Sequence, residues 1–179
     1  MNSFRLAAVT IKTVKSALAL FLAVLALSAA APARADQLHA GLSAFRQHNY
    51  IKAAALLQVP AEGGNASAQT VLCFLYTAGY GVPRSYPEAA AWCKRAANQG
   101  DARAQYMLGI LYNKGHGVPE DYILAYKWLN LAASRATGPK KDYSFRMRDA
   151  VATKMSPAQI ALAQALSVEW RPVREFPAR

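Results

Sequence analysis

The most constraining feature of the sequence is an internal repeat with a period of 36 residues. Residues 66–97, ASAQTVLCFLYTAGYGVPRSYPEAAAWCKRAA, align without a gap to residues 102–133, ARAQYMLGILYNKGHGVPEDYILAYKWLNLAA. Identity holds at 15 of the 32 aligned positions, including both glycines and the Val-Pro of the central turn. A fixed period of this length is typical of stacked repeats, in which each unit buries its apolar face against its neighbours. We therefore expect a stack of similar units.

Each unit is predicted to contain two helices. In the first helix, large apolar residues recur at spacings of three and four, which places them on one face; they are Leu72, Leu75 and Tyr76, then Leu108, Leu111 and Tyr112. In the second helix, small residues flank one tryptophan, so a neighbouring helix can approach closely; these are Ala89, Trp92 and Ala96, then Ala125, Trp128 and Ala132. Both stripes predict core residues.

Weaker copies of the pattern flank the two clear units. Tyr50 and Gly64 stand 36 residues before Tyr86 and Gly100, which predicts a divergent first unit over residues 36–65, with its first helix over 37–47. The clear units occupy residues 66–101 and 102–137. The register is then lost, and we expect a C-terminal helical pair over residues 141–170, with helices over about 143–154 and 156–170. Residues 36–170 form the predicted repeat domain, and residues 171–179 are expected to be a loose tail.

Residues 1–35 have the pattern of a secretory signal peptide. A basic start with Arg5, Lys12 and Lys15 precedes an apolar run over residues 17–30, which is shorter than the roughly 20 residues of a transmembrane helix. Small residues end the segment, which predicts cleavage between Ala35 and Asp36. We therefore expect a periplasmic or secreted protein of the Gram-negative type. The alternative, an uncleaved anchor, needs a longer apolar run.

The predicted export affects which partners the basic charge of the chain favours. The whole chain has 21 basic and 10 acidic residues; cleavage would leave 17 basic residues and a net charge of +7. In an exported protein such an excess does not favour nucleic acid as a partner. It leaves proteins and anionic envelope polymers or lipids as the expected partners.

The stretch LYNKGHGVPEDY, residues 111–122, has the composition of a catalytic site, because it places His116 beside Glu120 and Asp121. The sister unit has Tyr80, Arg84 and Ser85 at the matching positions. Only the residues that a turn and a helix cap need are kept, so we expect a structural turn with a solvent-facing His116. The sequence also lacks metal-binding, phosphate-loop and nucleophile motifs, so we expect no catalytic, cofactor or metal site.

The repeated segments LYTAGYGVPRSYPEAAAW and LYNKGHGVPEDYILAYKW, each followed by an Ala-Ala pair, resemble the Sel-one-like repeat (SLR), a relative of the tetratricopeptide repeat. The resemblance implies an all-α, right-handed superhelical solenoid of antiparallel helix pairs that acts as an interaction scaffold. Some cysteine-rich relatives are linked to β-lactam binding or hydrolysis, but they carry a disulfide in nearly every unit. Two cysteines in one unit do not reproduce that pattern.

The two cysteines stand at matching places of paired helices. Cys73 aligns with Gly109 and Cys93 with Leu129, so one unit has two cysteines where the other sets a glycine against a larger side chain. In an oxidising compartment a Cys73–Cys93 disulfide would stabilise the hairpin by roughly 3 kcal/mol. The alternative is a pair of buried free thiols.

Function is expected on the surface of the first helices, which line the concave side of such a stack. The candidate partner-binding residues lie off the core stripe: Thr70, Phe74, Arg103, Tyr106, Ile110, Asn113 and Lys114. An apolar patch rimmed by Arg103 and Lys114 suits a peptide or an acidic protein segment. The alternative is that Phe74, Tyr106 and Ile110 pack against adjacent units.

Two other functions stay open at this stage. A basic C-terminal region could bind an anionic envelope polymer or lipid; its residues are Lys140, Lys141, Arg146, Arg148 and Lys154. The interpretation that this region is only a solvated helix face competes with that hypothesis. The third hypothesis is hydrolysis of cell-wall or β-lactam substrates. The leading hypothesis remains a non-catalytic exported adaptor that binds a protein.

Overall fold

The computed structural model describes residues 35–175, which form eight α-helices and no strand. The helices are α1 (35–46), α2 (Tyr50–Glu62), α3 (Ala66–Ala78), α4 (Tyr86–Asn98), α5 (Ala102–Lys114), α6 (Tyr122–Arg135), α7 (Pro139–Ala152) and α8 (Pro157–Glu169). From α2 to α7 each helix packs on the next, α8 packs on α6, and α3 also contacts α5. The prediction of an all-α solenoid of helix pairs is confirmed.

The 36-residue period extends further than the sequence analysis recognised. The second helices α2, α4 and α6 all begin at a tyrosine, spaced by one full period. The helix α7 begins at Pro139, within one residue of the position that the period gives, and not near Tyr143 as predicted. Proline suits this position because the first turn of a helix needs no N–H donor there. Residues 136–142 therefore keep the 36-residue spacing of the helices, although their sequence no longer matches the repeat.

Side-chain caps start most of these helices. The Asn65 side chain accepts a hydrogen bond from the amide of Ala68, and Asp121 accepts one from Leu124. Ser156 and Gln159 form a capping box at the start of α8. Ser85, which also has a capping residue type, makes no such side-chain bond.

The Gly-x-Gly-Val-Pro turn of each unit rests on the second helix of the preceding unit. Gly117 has a φ of 72°, and a Cβ at this position would overlap the carbonyl group of Tyr86. Gly81 meets Tyr50 in the same way in the unit before. Only glycine combines this left-handed conformation with such a close approach of two backbones. The turn is therefore a contact between units.

Aromatic stacking accompanies this contact. The His116 ring stacks on Tyr86 with 4.2 Å between ring centroids, as the Tyr80 ring stacks on Tyr50 at 5.0 Å. The expectation that His116 only faces solvent is corrected by this geometry. Its ring packs one unit on another.

The two cysteines form a disulfide between α3 and α4. Cys73 and Cys93 have their Cα atoms 5.1 Å apart, and both side chains are fully buried. At the matching positions of the next unit, a Cβ on Gly109 would lie 2.7 Å from Cγ of Leu129. The two units thus fill the same space differently, one with a disulfide and the other with a leucine against a glycine.

The C-terminal segment departs from expectation. Residues 171–175 were predicted to be loose, yet they lie against the repeats. The amide of Val173 donates to the carbonyl of Asn98 at 2.8 Å, and the Glu175 carboxylate pairs with Arg95 at 2.8 Å. These contacts join residues that are about 80 positions apart in the chain, so no local sequence signal predicts them.

The predicted signal peptide lies almost wholly outside the described residues. Ala35 and Asp36, which flank the predicted cleavage site, are the first described residues and open α1. The position of cleavage stays a prediction. Among the helices of residues 35–175, none has the length and apolar character needed to cross a membrane.

Candidate functional site

A pocket of about 550 Å³ opens between α5 and α7, the first helices of two successive pairs. The C-terminal end of α6 closes its third side. The residues that shape it are Asp101, Arg103, Tyr106, Met107, Arg135 and Tyr143. This α5–α7 pocket combines aromatic and thioether walls with charged groups at its rim, and ligand pockets are commonly lined by apolar and aromatic side chains with a few polar or charged groups.

The start of α5 sets the positions of the pocket residues. Asp101 caps this helix by accepting hydrogen bonds from the amides of Arg103 and Ala104, both at 3.0 Å. Tyr106 and Met107 follow one turn later: the Tyr106 ring meets Tyr143 of α7, and the Met107 sulfur lies 3.9 Å from Sγ of Cys73 in α3. Because this cap fixes the first turn of α5, it helps to position both Arg103 at the rim and Tyr106 on the wall of the pocket.

Two tyrosines form the apolar wall. The rings of Tyr106 and Tyr143 meet edge to face with 6.2 Å between centroids. Burial, with a smaller contribution from Tyr143, raises the pKa of Tyr106 above its ordinary value. The shift is away from neutrality, so the Tyr106 hydroxyl is protonated at neutral pH as an ordinary tyrosine is, and it can donate a hydrogen bond.

The rim carries two guanidinium groups. Arg103 lies only 3.7 Å from the Asp101 carboxylate, and 55% of its side chain is exposed. Arg135 lies with its guanidinium carbon 4.5 Å above the ring of Trp170. Two guanidinium groups stand against the single carboxylate of Asp101 among the lining residues, so the rim has a net positive charge. An acidic ligand is favoured there.

Of the seven candidate contact residues, Arg103 and Tyr106 line this pocket. Thr70 does not reach the surface. It is 3% exposed, and its hydroxyl donates to the carbonyl of Ala66 at 2.9 Å. A threonine inside a helix commonly turns back on its own backbone in this way, so Thr70 is withdrawn as a contact residue.

Phe74 and Ile110 lie in packed surroundings. Phe74 is half-buried, with its ring 5.7 Å from Phe45 in α1 and 5.9 Å from Tyr80. Ile110 is half-buried against a core cluster that contains Leu129 and Val151. These contacts favour the alternative interpretation, in which both residues pack against adjacent elements.

Asn113 and Lys114 lie near the other end of α5. The Asn113 side chain accepts a hydrogen bond from Nζ of Lys154 at 3.0 Å, which links α5 to the region after α7. Lys114 is exposed in the last turn of α5. Neither residue lines the α5–α7 pocket, so the seven candidates do not form one surface.

Four of the six residues that shape the pocket were missed from the sequence. Asp101 and Met107 were not among the candidate contact residues, and Arg135 and Tyr143 lie beyond the aligned segments 66–97 and 102–133. A usable signal existed, because Tyr143 stands one 36-residue period after Met107. Continuing the period past residue 133 would have placed Tyr143 on the same helix face.

The groups that line the pocket are suited to binding a ligand. Within residues 35–175 there is no group of three or more His, Cys, Asp or Glu residues able to hold a metal ion. The pocket combines guanidinium groups, phenol hydroxyls and apolar walls. These groups recognise carboxylates and apolar side chains.

Comparison with known proteins agrees with the fold. The family described as Sel1 repeat matches residues 66–101 and 102–136. The structure is similar to that of c5321, a protective antigen of uropathogenic Escherichia coli with an SLR fold, with a TM-score of 0.69 and 28% identity. It is also similar to a Sel1 repeat protein from Oxalobacter formigenes, with a TM-score of 0.58 and 26% identity.

Both similarities cover 76% of this chain, which spans 29% of the length of the first protein and 55% of the second. No curated protein sequence matches the chain. The two matched repeats, the helix pairing and the similar structures together identify the fold. The chain contains two Sel1 repeats, and its described residues form an all-α solenoid similar to the SLR-fold structures.

Proposed function

We propose that the chain is an exported, non-catalytic scaffold that binds a protein partner in the α5–α7 pocket. Sel1 repeats commonly mediate protein–protein interaction, which supports the general role. The observation that carries the specific proposal is the pocket itself, with Tyr106 and Tyr143 on its wall and Arg103 and Arg135 at its rim. Such a pocket suits an acidic segment that inserts one apolar side chain.

Two observations support export. The first 35 residues have the charge and apolar pattern of a signal peptide. The Cys73–Cys93 disulfide fits an oxidising compartment, because disulfides persist in the periplasm and outside the cell. Together they support a periplasmic or secreted scaffold.

The pocket proposal is tested by removing its charge. We expect Arg103→Glu to weaken partner capture from an envelope fraction by at least about tenfold, since it places a carboxylate against an acidic segment. Tyr106→Ala should weaken it comparably by removing an aromatic anchor. The measurement is quantitative mass spectrometry of crosslinked pull-downs.

Lys94→Glu is the matched control for that charge change, because Lys94 is exposed on α4, away from the pocket. We expect it to leave capture within about twofold of the native chain. Equal losses for Arg103→Glu and Lys94→Glu would contradict a specific role of the pocket and would indicate a response to net charge alone.

The basic C-terminal region supports the second candidate function less well. Arg148 pairs with Asp149 at 2.7 Å and donates to Asn130, while Lys154 donates to Asn113. Lys141 lies 5.8 Å from the Phe145 ring centre. These local partners favour a helix face over a polymer site. Repeating the capture across a salt series separates the two, because polyanion binding weakens steeply with salt.

A further inference from the structure

The C-terminal segment occupies a groove at the edge of the solenoid. We call residues 171–175 the strap. The joint groove is the edge that receives it, formed by Gly64, Gln69, Arg95, Asn98 and Gly100. The strap runs across both joints between helix pairs, passing Gly100 first and reaching Gly64 last. It is the chain's own peptide, and it is neither helix nor strand.

The groove ends in a built site for a carboxylate. Arg95 donates to both carboxylate oxygens of Glu175, through Nε at 3.2 Å and 3.0 Å and through Nη2 at 2.8 Å. Gln69 donates to the same carboxylate through Nε2 at 2.8 Å. Two donor side chains from different helices thus converge on one carboxylate, which gives the site geometric specificity.

The buried amide in this site is held in place from behind. Gln69 is fully buried, its Nε2 also donates to the carbonyl of Ala61, and its Oε1 accepts from Gln99 at 2.8 Å. These bonds fix the orientation of the amide, so its second N–H points outward whether or not a ligand is present. Preorganised donors of this kind lower the entropic cost of binding.

Desolvation and hydrogen bonding act in opposite directions on the bound carboxylate. Burial raises the pKa of Glu175, but the hydrogen bonds from Arg95 and Gln69 and the charge of Arg95 outweigh burial and leave the pKa below its ordinary value. The ionised carboxylate is therefore the form that the groove binds at neutral pH.

The glycines at the joints let the strap backbone approach. A Cβ on Gly64, whose φ is 88°, would lie 3.0 Å from the carbonyl oxygen of Glu175. At Gly100 the added atom would lie 3.8 Å from Cβ of Pro172. Between them, the amide of Val173 donates to the carbonyl of Asn98. The groove therefore accepts a hydrogen bond from one backbone N–H, which belongs to the residue two positions before the one that carries the carboxylate.

The carboxylate site belongs to the first joint alone. At the second joint Gln105 repeats the role of Gln69 and donates to the carbonyl of Ala97 at 3.1 Å. The position one period after Arg95 is Leu131, which is buried and offers no donor. The cation near this joint is Arg135, whose Nε would lie 3.9 Å from a Cβ on Gly100 and whose guanidinium carbon lies 4.5 Å above the Trp170 ring. The convergence of an arginine and a glutamine on one carboxylate is therefore described only at the first joint.

We propose that the joint groove is a peptide-binding site that takes an extended acidic segment of a partner protein, and that the strap fills it in cis. The ligand places a carboxylate two residues after a backbone N–H donor. A tethered ligand reaches an effective concentration in the millimolar range, so a partner binds only when it displaces the strap or when the strap is released.

The test uses the full-length chain with the strap released. The double variant Val173→Pro/Glu175→Lys removes the backbone donor at residue 173 and reverses the charge at residue 175, while every groove residue is left in place. The probe is a fluorescein-labelled synthetic peptide of residues 171–179, RPVREFPAR, measured by fluorescence anisotropy. We expect this peptide to bind the released chain at least about tenfold more tightly than the native chain, in which the strap competes.

A charge exchange supplies the specificity control. The same peptide with Glu175→Lys should bind the released chain at least about tenfold more weakly than the natural peptide. Arg95→Glu should reverse this preference, because a groove with a glutamate at position 95 favours a cationic side chain in the peptide. Arg84→Glu, introduced into the native chain as a control, should not change the affinity for the natural peptide. Equal binding of both peptides to the released chain, or equal binding of the natural peptide to the native and released chains, would overturn the proposal. Should Arg95→Glu fail to fold, the two peptides on the released chain still decide.

Discussion

Gly117→Ala is expected to lower the free energy of unfolding by about 4 kcal/mol, the largest effect of any single methyl group considered for this chain. The added Cβ would overlap the Tyr86 carbonyl and lie 2.7 Å from the Pro87 nitrogen. Those atoms are backbone at the start of α4, so relief requires moving one helix pair relative to the next. Urea denaturation followed by circular dichroism measures the loss.

Gly115→Ala is the matched control in the same turn. Gly115 also has a positive φ, 64°, but its nearest neighbour would be Cβ of Glu120 at 3.4 Å, an ordinary contact. We expect a cost of about 1–2 kcal/mol, which is the strain of a left-handed alanine alone. If both substitutions cost the same, the close approach at Gly117 does not hold the units together.

Loss of the disulfide is expected to have the second largest effect. Cys73→Ala/Cys93→Ala should lower the free energy of unfolding by about 3 kcal/mol, because the cross-link restricts the unfolded chain and both sulfurs fill core space. Adding dithiothreitol should destabilise the native chain and leave the variant unchanged. Urea denaturation of both chains, with and without reductant, measures the difference.

The sister unit supplies a control for packing. Cys73→Gly/Cys93→Leu copies the arrangement of Gly109 and Leu129, so it restores volume without a cross-link. We expect it to be more stable than the double alanine variant and insensitive to reductant. Alkylation of both native thiols without reductant would contradict the disulfide itself.

The repeat pattern predicted the parts of the fold that each unit builds for itself. Trp92 and Trp128 mark the second helices, and Leu72 and Leu108 lie on the buried face of the first helices, because these roles depend on residues within one unit. Comparing Tyr80 with His116 also showed that the histidine belongs to a turn. What the comparison did not reveal is the stacking of each ring on the preceding unit.

Contacts between distant segments could not be predicted. The strap depends on Glu175 meeting Arg95, and neither residue has a local pattern that requires the other. Thr70 was expected on the surface because helical spacing gives the direction of a side chain. It does not show which other residues pack against that side chain. Half of the α5–α7 pocket comes from α6 and α7, so a site taken from the first helices of two units was necessarily incomplete.

The most direct test of the scaffold proposal is photocrosslinking from inside the pocket. A benzophenone side chain at Tyr143, which is 58% exposed and lines the pocket, is compared with one at Lys94 on α4. The proposed scaffold predicts a discrete crosslinked protein from position 143 that disappears with Arg103→Glu, and none from position 94. The same crosslinked protein from both positions, or a product from position 143 that survives Arg103→Glu, would contradict binding in the α5–α7 pocket.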